Sequence, residues 1–212
     1  MTSRGPSKRR PGRPKEPEKR EHLLVVARGI FALKGYDGAR LQQIADEAGV
    51  SKPALFHHFS GKDELYEGVL DAMVKELAAF IYSTSSQQGS YRTRLRELAQ
   101  NLADYFGSHP DAAKLLLREF VNNGPYTNGR GKRLVENTLR MAIEFVEAGI
   151  EEGSFNGEHP ERLVLAATAD LLFYYGAHEV SGAILRDDAL SPENIATQRD
   201  ELAEHFCRLV KA

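Results

Sequence analysis

The sequence predicts an all-α chain of nine helices in two domains, a three-helix N-terminal unit followed by a larger helical one. Three observations carry that expectation. Apolar residues recur at helical spacing from about residue 18 onward, and nowhere does the two-residue alternation of a half-buried strand persist. Gly, Pro and Asn clusters punctuate the pattern where helices would have to stop. A chain of 212 residues with 42% apolar content can also hold one small module plus a larger core.

Residues 1–17 are mostly Pro, Gly, Ser, Lys and Arg, with almost nothing to bury, and read as a disordered arm. Leu24, Ala27, Ile30 and Phe31 build the first helix, which Gly35 closes while Tyr36 folds back on Phe31 in a Schellman contact. Leu41, Ile44, Ala45 and Ala48 fall at i, i+3, i+4 and i+7, one apolar stripe on a short second helix. Gly49 supplies the left-handed residue that ends it, Val50 plugs the corner, and the Ser51 hydroxyl caps the third helix. Pro53 stands in the first turn of that helix, where its missing N–H costs nothing. Leu55 and Phe59 make an inward i, i+4 pair, so Lys52, Ala54, Phe56 and His57 face away. Residues 40–59 thus spell a helix-turn-helix whose second helix is short enough to lie in a DNA major groove.

The fourth helix starts near Lys62 and carries Leu65, Val69, Met73, Leu77 and Phe80 inward, and Ser83 to Ser90 form a polar connector. Further helices are expected at about 91–107, 110–122, 128–152 and 160–185. Breaks separate them at His109-Pro110, at Asn122 to Pro125, from Gly153 to Pro160, and from Asp187 to Pro192. The last helix, about 192–211, puts Ile195, Leu202, Phe206 and Leu209 on one stripe.

The net charge of −2 hides an asymmetry. Residues 1–62 carry 13 Lys/Arg against 6 Asp/Glu, a balance of +7, and residues 63–212 carry 15 against 24, a balance of −9. A basic front and an acidic back suit a protein that touches nucleic acid with one end. The single Cys207 excludes an internal disulfide and a four-Cys zinc site and fits a reducing compartment. With no apolar run of membrane-span length and no apolar signal core, no membrane partner is expected and the chain reads as soluble and intracellular.

At these residues the pattern becomes specific. Phe31-Ala32-Leu33-Lys34-Gly35-Tyr36, Ile44-Ala45, Ala48-Gly49-Val50-Ser51-Lys52, Leu55-Phe56-His57-His58-Phe59 and Lys62-Asp63-Glu64-Leu65 together resemble the TetR family of bacterial transcription regulators. The resemblance covers roughly residues 18–70. Two departures stand out: Ala39-Arg40 where the family usually opens its second helix with Ser or Thr, and Phe56 where it usually carries Tyr. The resemblance implies a DNA-binding domain at 18–64 and an effector-binding and dimerisation domain at 65–212. It also implies a bacterial cytoplasmic regulator, nucleoid-associated when bound to double-stranded DNA, with itself and an unknown small-molecule effector as further partners.

Lys52 reaches a phosphate or a guanine edge from the start of the third helix, flanked by Pro53 and Ala54. His57 either donates to a base or phosphate or is merely solvated, and Phe56 packs on sugar or a thymine methyl. Lys62 adds charge beside the N-terminus of the fourth helix, and Arg40 binds phosphate at the loss of a cap. In the arm, the run Lys8 to Lys15 is partly like an AT-hook. Arg10 and Arg13 there either enter an A·T-rich minor groove or act as a plain basic tail.

Asp170, Tyr174 and His178 fall at i, i+4 and i+8, and either line an effector pocket or form a hydrogen-bonded seam between subunits. Arg118 and Asn122 are further pocket candidates, with a surface ion pair as the plainer fate of Arg118. In the resembled family the last two helices of each subunit make a four-helix dimer interface, which here draws on Leu163, Ala166, Ala177, Ile195, Leu202 and Phe206. Catalysis, a metal and a cofactor are not expected. His57 and His58 point about 100° apart, the pair Glu201 and His205 lacks a third ligand, and no phosphate-cradling glycine loop is present. The sequence therefore points to a homodimeric repressor that binds a palindromic operator and is released by a small molecule. The alternatives are an arm-led architectural DNA binder without an effector, or a ligand-binding protein with a vestigial DNA module.

Overall fold

The structure is a computed structural model that describes residues 16–156 and 159–210. Residues 1–15, with Arg10 and Arg13 of the expected arm, lie outside the described part. Ten helices occur among the described residues: α1 Glu16–Gly38, α2 Leu41–Glu47, α3 Lys52–His58, α4 Lys62–Ser85, α5 Tyr91–Ser108, α6 Pro110–Val121, α7 Lys132–Glu151, α8 Pro160–Gly176, α9 His178–Leu185 and α10 Pro192–Leu209. No helix among them is long and apolar enough to cross a membrane.

The N-terminal unit forms because three short amphipathic stretches share one small core. Leu23, Ala27 and Phe31 of α1 meet Ile44 and Ala45 of α2, Leu55 of α3 and Phe59 just beyond it, all buried. Gly35, at φ 73°, kinks the end of α1, and the Tyr36 ring stacks on Phe31 with centroids 6.5 Å apart. Gly49, at φ 67°, makes the sharp corner between α2 and α3 that a Cβ would strain. Helix α4 starts as expected and runs from this unit into the second domain. There α4 packs on α7, α5 on α10 and α6 on α8.

Two boundaries differ from expectation. The helix expected over 160–185 is two helices, because the backbone leaves helical geometry at Ala177 (φ −112°, ψ 37°). At that point side chains take over carbonyls the helix would have used. Ser181 Oγ donates to Tyr174 O at 3.0 Å, and His178 Nδ1 lies 3.2 Å from Tyr175 O. Gly176 lets α8 close onto α6 there, since a Cβ would stand 2.9 Å from Ala113 O. Helix α7 starts at Lys132 rather than near 128, because residues 124–131 wrap the buried Tyr126 ring and Gly131 leaves the space that ring fills.

Candidate nucleic-acid interface and internal cavity

Helix α3 is positioned by its two ends and its one buried residue. Ser51 Oγ accepts from Ala54 N at 3.3 Å, Pro53 sits in the first turn, and Phe59 N closes the other end on Leu55 O at 3.0 Å. Leu55 is fully buried, which turns Lys52, Pro53, Ala54, Phe56 and His57 to solvent. Lys52 Nζ lies 5.9 Å from the Phe56 ring, so the cation and the aromatic surface stand side by side on this face. His57 packs edge-on against His58 at 5.5 Å.

The flanking cations differ in freedom. Arg40 is exposed at the N-cap of α2 and makes no side-chain cap bond. Lys62 is held: its Nζ donates to Asp37 O at 3.2 Å and lies 4.6 Å from the Tyr36 ring centroid. Tyr36 OH donates to Asp63, and this bond, with burial, pushes the phenol up to about 12. The first turn of α4 already carries Asp63 and Glu64, and Glu64 accepts from Ser60 N at 2.7 Å and Ser60 Oγ at 2.6 Å. Those two bonds hold Glu64 below the usual carboxylate range. The anion-binding capacity of this helix end is therefore largely used internally. Sequence reasoning missed Lys34 and Gln43, which join Arg40 around a shallow polar groove at the α1–α2 corner and bond to each other at 2.6 Å. Their separation of nine positions across a turn gave no periodic signal.

The larger domain encloses an apolar cavity of about 150 Å³ to which α4, α5, α6, α7, α8 and α10 all contribute. Leu77, Leu98, Phe120, Leu139 and Leu171 are representative of its walls, and among the described residues Thr138 and Thr168 are the only polar side chains on it. None of the five expected pocket residues reaches it. Arg118 Nη1 donates instead to Phe31 O at 3.1 Å, and Asn122 is the exposed C-cap of α6. Asp170 Oδ2 pairs with His205 Nδ1 of α10 at 3.1 Å, so His205 does not pair with Glu201 on its own helix. Tyr174 OH donates to Ala189 O at 3.4 Å, and His178 opens α9 beyond the break. The bonds of Asp170, Tyr174 and His178 lie within one chain.

Within the chain, the expected interface residues take different places. Leu202 and Phe206 are buried where α10 packs on α5, Leu163 lines the cavity, and Ile195 is half-buried against Gly107. Ala177 is half-buried at the α8–α9 break, and Ala166 alone is exposed. The open apolar surface lies beside Ala166 and continues onto α9: Leu165 is 68% exposed, Phe173 51%, Val180 51% and Ile184 71%.

A third arrangement joins the two regions. The Glu119 carboxylate is buried and accepts from Tyr66 OH of α4 at 2.7 Å, Tyr126 N at 2.8 Å and Thr127 N at 2.9 Å. Tyr126 OH returns to Asp71 of α4 at 2.7 Å, and Arg28 of α1 pairs with Asp111 of α6 at 2.8 Å.

Comparison with known proteins places this architecture. Residues 23–69 match the family described as bacterial regulatory proteins, tetR family, and residues 92–206 match the tetracyclin repressor-like C-terminal domain. The chain is 36% identical over 145 residues to the HTH-type transcriptional activator FasR of Mycolicibacterium smegmatis, a match spanning 68% of this chain and 66% of that protein, just under two thirds of its length. It is 26% identical over 186 residues to the HTH-type transcriptional regulator RutR of Escherichia coli, spanning 84% of this chain and 85% of that protein. The fold is that of the ketosteroid transcriptional regulator KstR2 of Mycobacterium tuberculosis, with a TM-score of 0.73 at 17% identity over 93% of this chain and 97% of that one. It is also that of the fatty acid degradation regulator FadR from Bacillus halodurans, with a TM-score of 0.71 at 16% identity over 92% and 97% of the two chains. These relatives are transcriptional regulators and not enzymes, and the chain belongs to the TetR family of bacterial regulatory proteins.

Proposed function

We propose that this regulator is a homodimeric repressor that binds a palindromic operator and is released by a small-molecule effector. The observation that carries the reading is the face of α3, where Lys52, Pro53, Ala54, Phe56 and His57 all stand open while Leu55 fixes their orientation from inside. In this reading residues 18–64 contact DNA with Lys52, His57 and Arg40 on phosphates or base edges and Phe56 on sugar or a thymine methyl. Residues 1–17, with Arg10 and Arg13, add phosphate affinity, and residues 65–212 hold the effector and the partner. Lys62 acts mainly by orienting Tyr36 and α4, given its internal bonds.

The open stripe of Leu165 and Phe173 with Val180 and Ile184 supports self-association, since a second copy would cover it symmetrically. The effector binds the cavity, which touches α4 through Val74, Leu77 and Ile81. Ketosteroid and fatty-acid regulators among the fold relatives agree with an apolar ligand. To take the operator from mostly bound to mostly free, the ligand has to prefer the released state by roughly 10³–10⁴-fold. The regulator then works in the cytoplasm, on the nucleoid.

The test is fluorescence anisotropy on a duplex enriched from a randomised pool, against a scrambled duplex, across a salt series. Binding of two subunits, preference that survives physiological salt, and about a tenfold loss on Lys52→Ala support the reading. Equal, steeply salt-dependent binding to both duplexes that vanishes when residues 1–17 are removed would overturn it in favour of an arm-led architectural protein.

A further inference from the structure

We propose that Arg94 and Thr84 form a carboxylate site where α4 ends and α5 begins, so that the ligand of the larger domain is an acid anchored there by its anionic end. This deepens, and rests on, the reading of residues 65–212 as the effector domain.

Hydrogen-bond accounting picks out these two residues. Apart from tyrosines and Cys207, the buried polar or charged side chains among the described residues are Thr84, Arg94, Glu119, Thr138 and Ser181. Three of them are bonded: Glu119 accepts from Tyr66 OH, Thr138 Oγ1 donates to Leu134 O and Ser181 Oγ to Tyr174 O. Thr84 Oγ1 and Arg94 Nε have no partner, although the two residues are 0% and 7% exposed. A buried donor left unpaired is destabilising until something accepts from it.

The two orphaned groups are neighbours. Arg94 Nη1 donates to Ser85 O and Gln87 O, both at 3.2 Å, which puts the guanidinium beside the residue that follows Thr84. Ser85 ends α4, and the Tyr91 ring centre lies 3.8 Å from Arg94 Cζ. A helix C-terminus and an aromatic face make a buried cation tolerable. Neither neutralises it, and no carboxylate of a described residue pairs with Arg94. With Nη1 occupied by the carbonyls, the Nε–Nη2 edge has no bond to any described residue. That edge is one on which a carboxylate docks side-on through two parallel bonds.

Room for the rest of the ligand adjoins the pair. Thr84 continues the inward stripe of Val74, Leu77 and Ile81 on α4, and Arg94 precedes Leu95 on α5; that stripe and Leu95 line the cavity. Phe145, also on the wall, has its ring centre 5.6 Å from Arg94 Cζ. The wall itself carries no charged side chain, and Arg94 is the one buried Lys or Arg among the described residues. A carboxylate at this end gains a counter-charge and two donors, whereas elsewhere on the wall it would lose its hydration with nothing in return.

The experiment titrates the full chain by calorimetry near neutral pH with hexanoate, cyclohexanecarboxylate and benzoate, each against its primary amide. At least one carboxylate should bind about tenfold or more tightly than the amide of the same shape. Arg94→Gln should abolish that preference, and Arg94→Lys, which keeps the charge without the two-pronged edge, should retain only part of it. Thr84→Val should lower carboxylate affinity about threefold. Equal binding of acid and amide, an acid preference that survives Arg94→Gln, or no binding of any of the three acids at millimolar concentration would overturn the proposal. An Arg94 that merely clasps the end of α4 gives the first of these results. If Arg94→Gln does not fold, the acid-to-amide ratio of the parent and the loss in Thr84→Val still decide. Operator anisotropy run in parallel keeps the two readings apart. An acid bound through Arg94 while the operator stays held keeps this inference and defeats the proposed switch. Release by the amides as readily as by the acids keeps the switch and defeats this inference.

Discussion

The recognition unit and the cavity domain use the same apolar periodicity, yet they keep their working surfaces on opposite sides of it. In α2 and α3, two helices of seven residues each, the apolar residues are spent on a small core, and the candidate contact groups are the ones left outside. In the larger domain the candidate site is a space that six helices leave unfilled. An outward face depends on one helix and its caps, so it survives small shifts of its neighbours. A void exists only while helices far apart in sequence hold their distances, so it is the part a ligand can reshape. The candidate face and the candidate cavity therefore differ in how far each depends on packing between distant helices.

The sharpest way to break this contrast is at the join. Glu119→Ala would strand Tyr66 OH and the amides of Tyr126 and Thr127 in a buried position. At about 1–3 kcal/mol for each buried donor left unpaired, the expected loss is on the order of 4 kcal/mol in urea unfolding. A loss under about 1 kcal/mol would mean water replaces the carboxylate and the two regions are less firmly joined than the bonds suggest. Next in size is the neighbouring pair Leu55 and Phe56, which are 0% and 44% exposed. Leu55→Ala should cost about 3 kcal/mol. Phe56→Ala should stay within about 0.5 kcal/mol of the parent while reducing DNA affinity. Equal destabilisation by the two would refute the division between buried and reading residues on α3.

The smallest effect concerns Tyr36, whose phenol is pushed from 10.0 to about 12 chiefly by its bond to Asp63. A raised folded-state value favours the protonated form. The contribution is therefore fully present below pH 10 and is lost as pH rises through 12. Tyr36→Phe should show a flatter fall in urea midpoint across that window than the parent protein. Parallel curves would show that the bond does not persist in solution.

How much of this was legible in the sequence follows the same divide. Gly35, Gly49, Ser51, Leu55 and Phe59 disclosed the recognition unit because each acts within a few residues of itself through backbone conformation, capping or i, i+4 packing. The two-domain all-helical fold followed from periodicity and breakers, with ten helices in place of nine. The break at Ala177 was hidden because Ser181 and His178 look like ordinary helix residues until their side chains are seen bonded to carbonyls behind them. Asp170, Tyr174 and Arg118 resembled ligand-facing residues because a polar group in an apolar run invites that reading, yet each finds its partner inside the chain. Helix α8 is apolar on nearly every side, so periodicity alone did not tell Leu163, which lines the cavity, from Leu165, which faces solvent. The cavity needs six helices in their final places and has no local signature at all.

Helix α6 deserves a last consequence. Leu116 and Phe120 form part of the cavity wall, while Arg118, on the opposite side, holds the carbonyl of Phe31 in α1, and Glu119, on the flank between them, holds the phenol of Tyr66 in α4. A single rod of twelve residues therefore touches both the cavity and the recognition unit. In the proposed switch, a ligand that pushed Phe120 outward would turn the helix, and Arg118 would drag or drop its hold on the end of α1. In that switch, news of an occupied cavity would cross no more than one helix diameter, roughly 10 Å, before reaching the backbone that carries α2 and α3. So short a linkage would act through a turn of the helix, with no chain of intermediate residues to relay it.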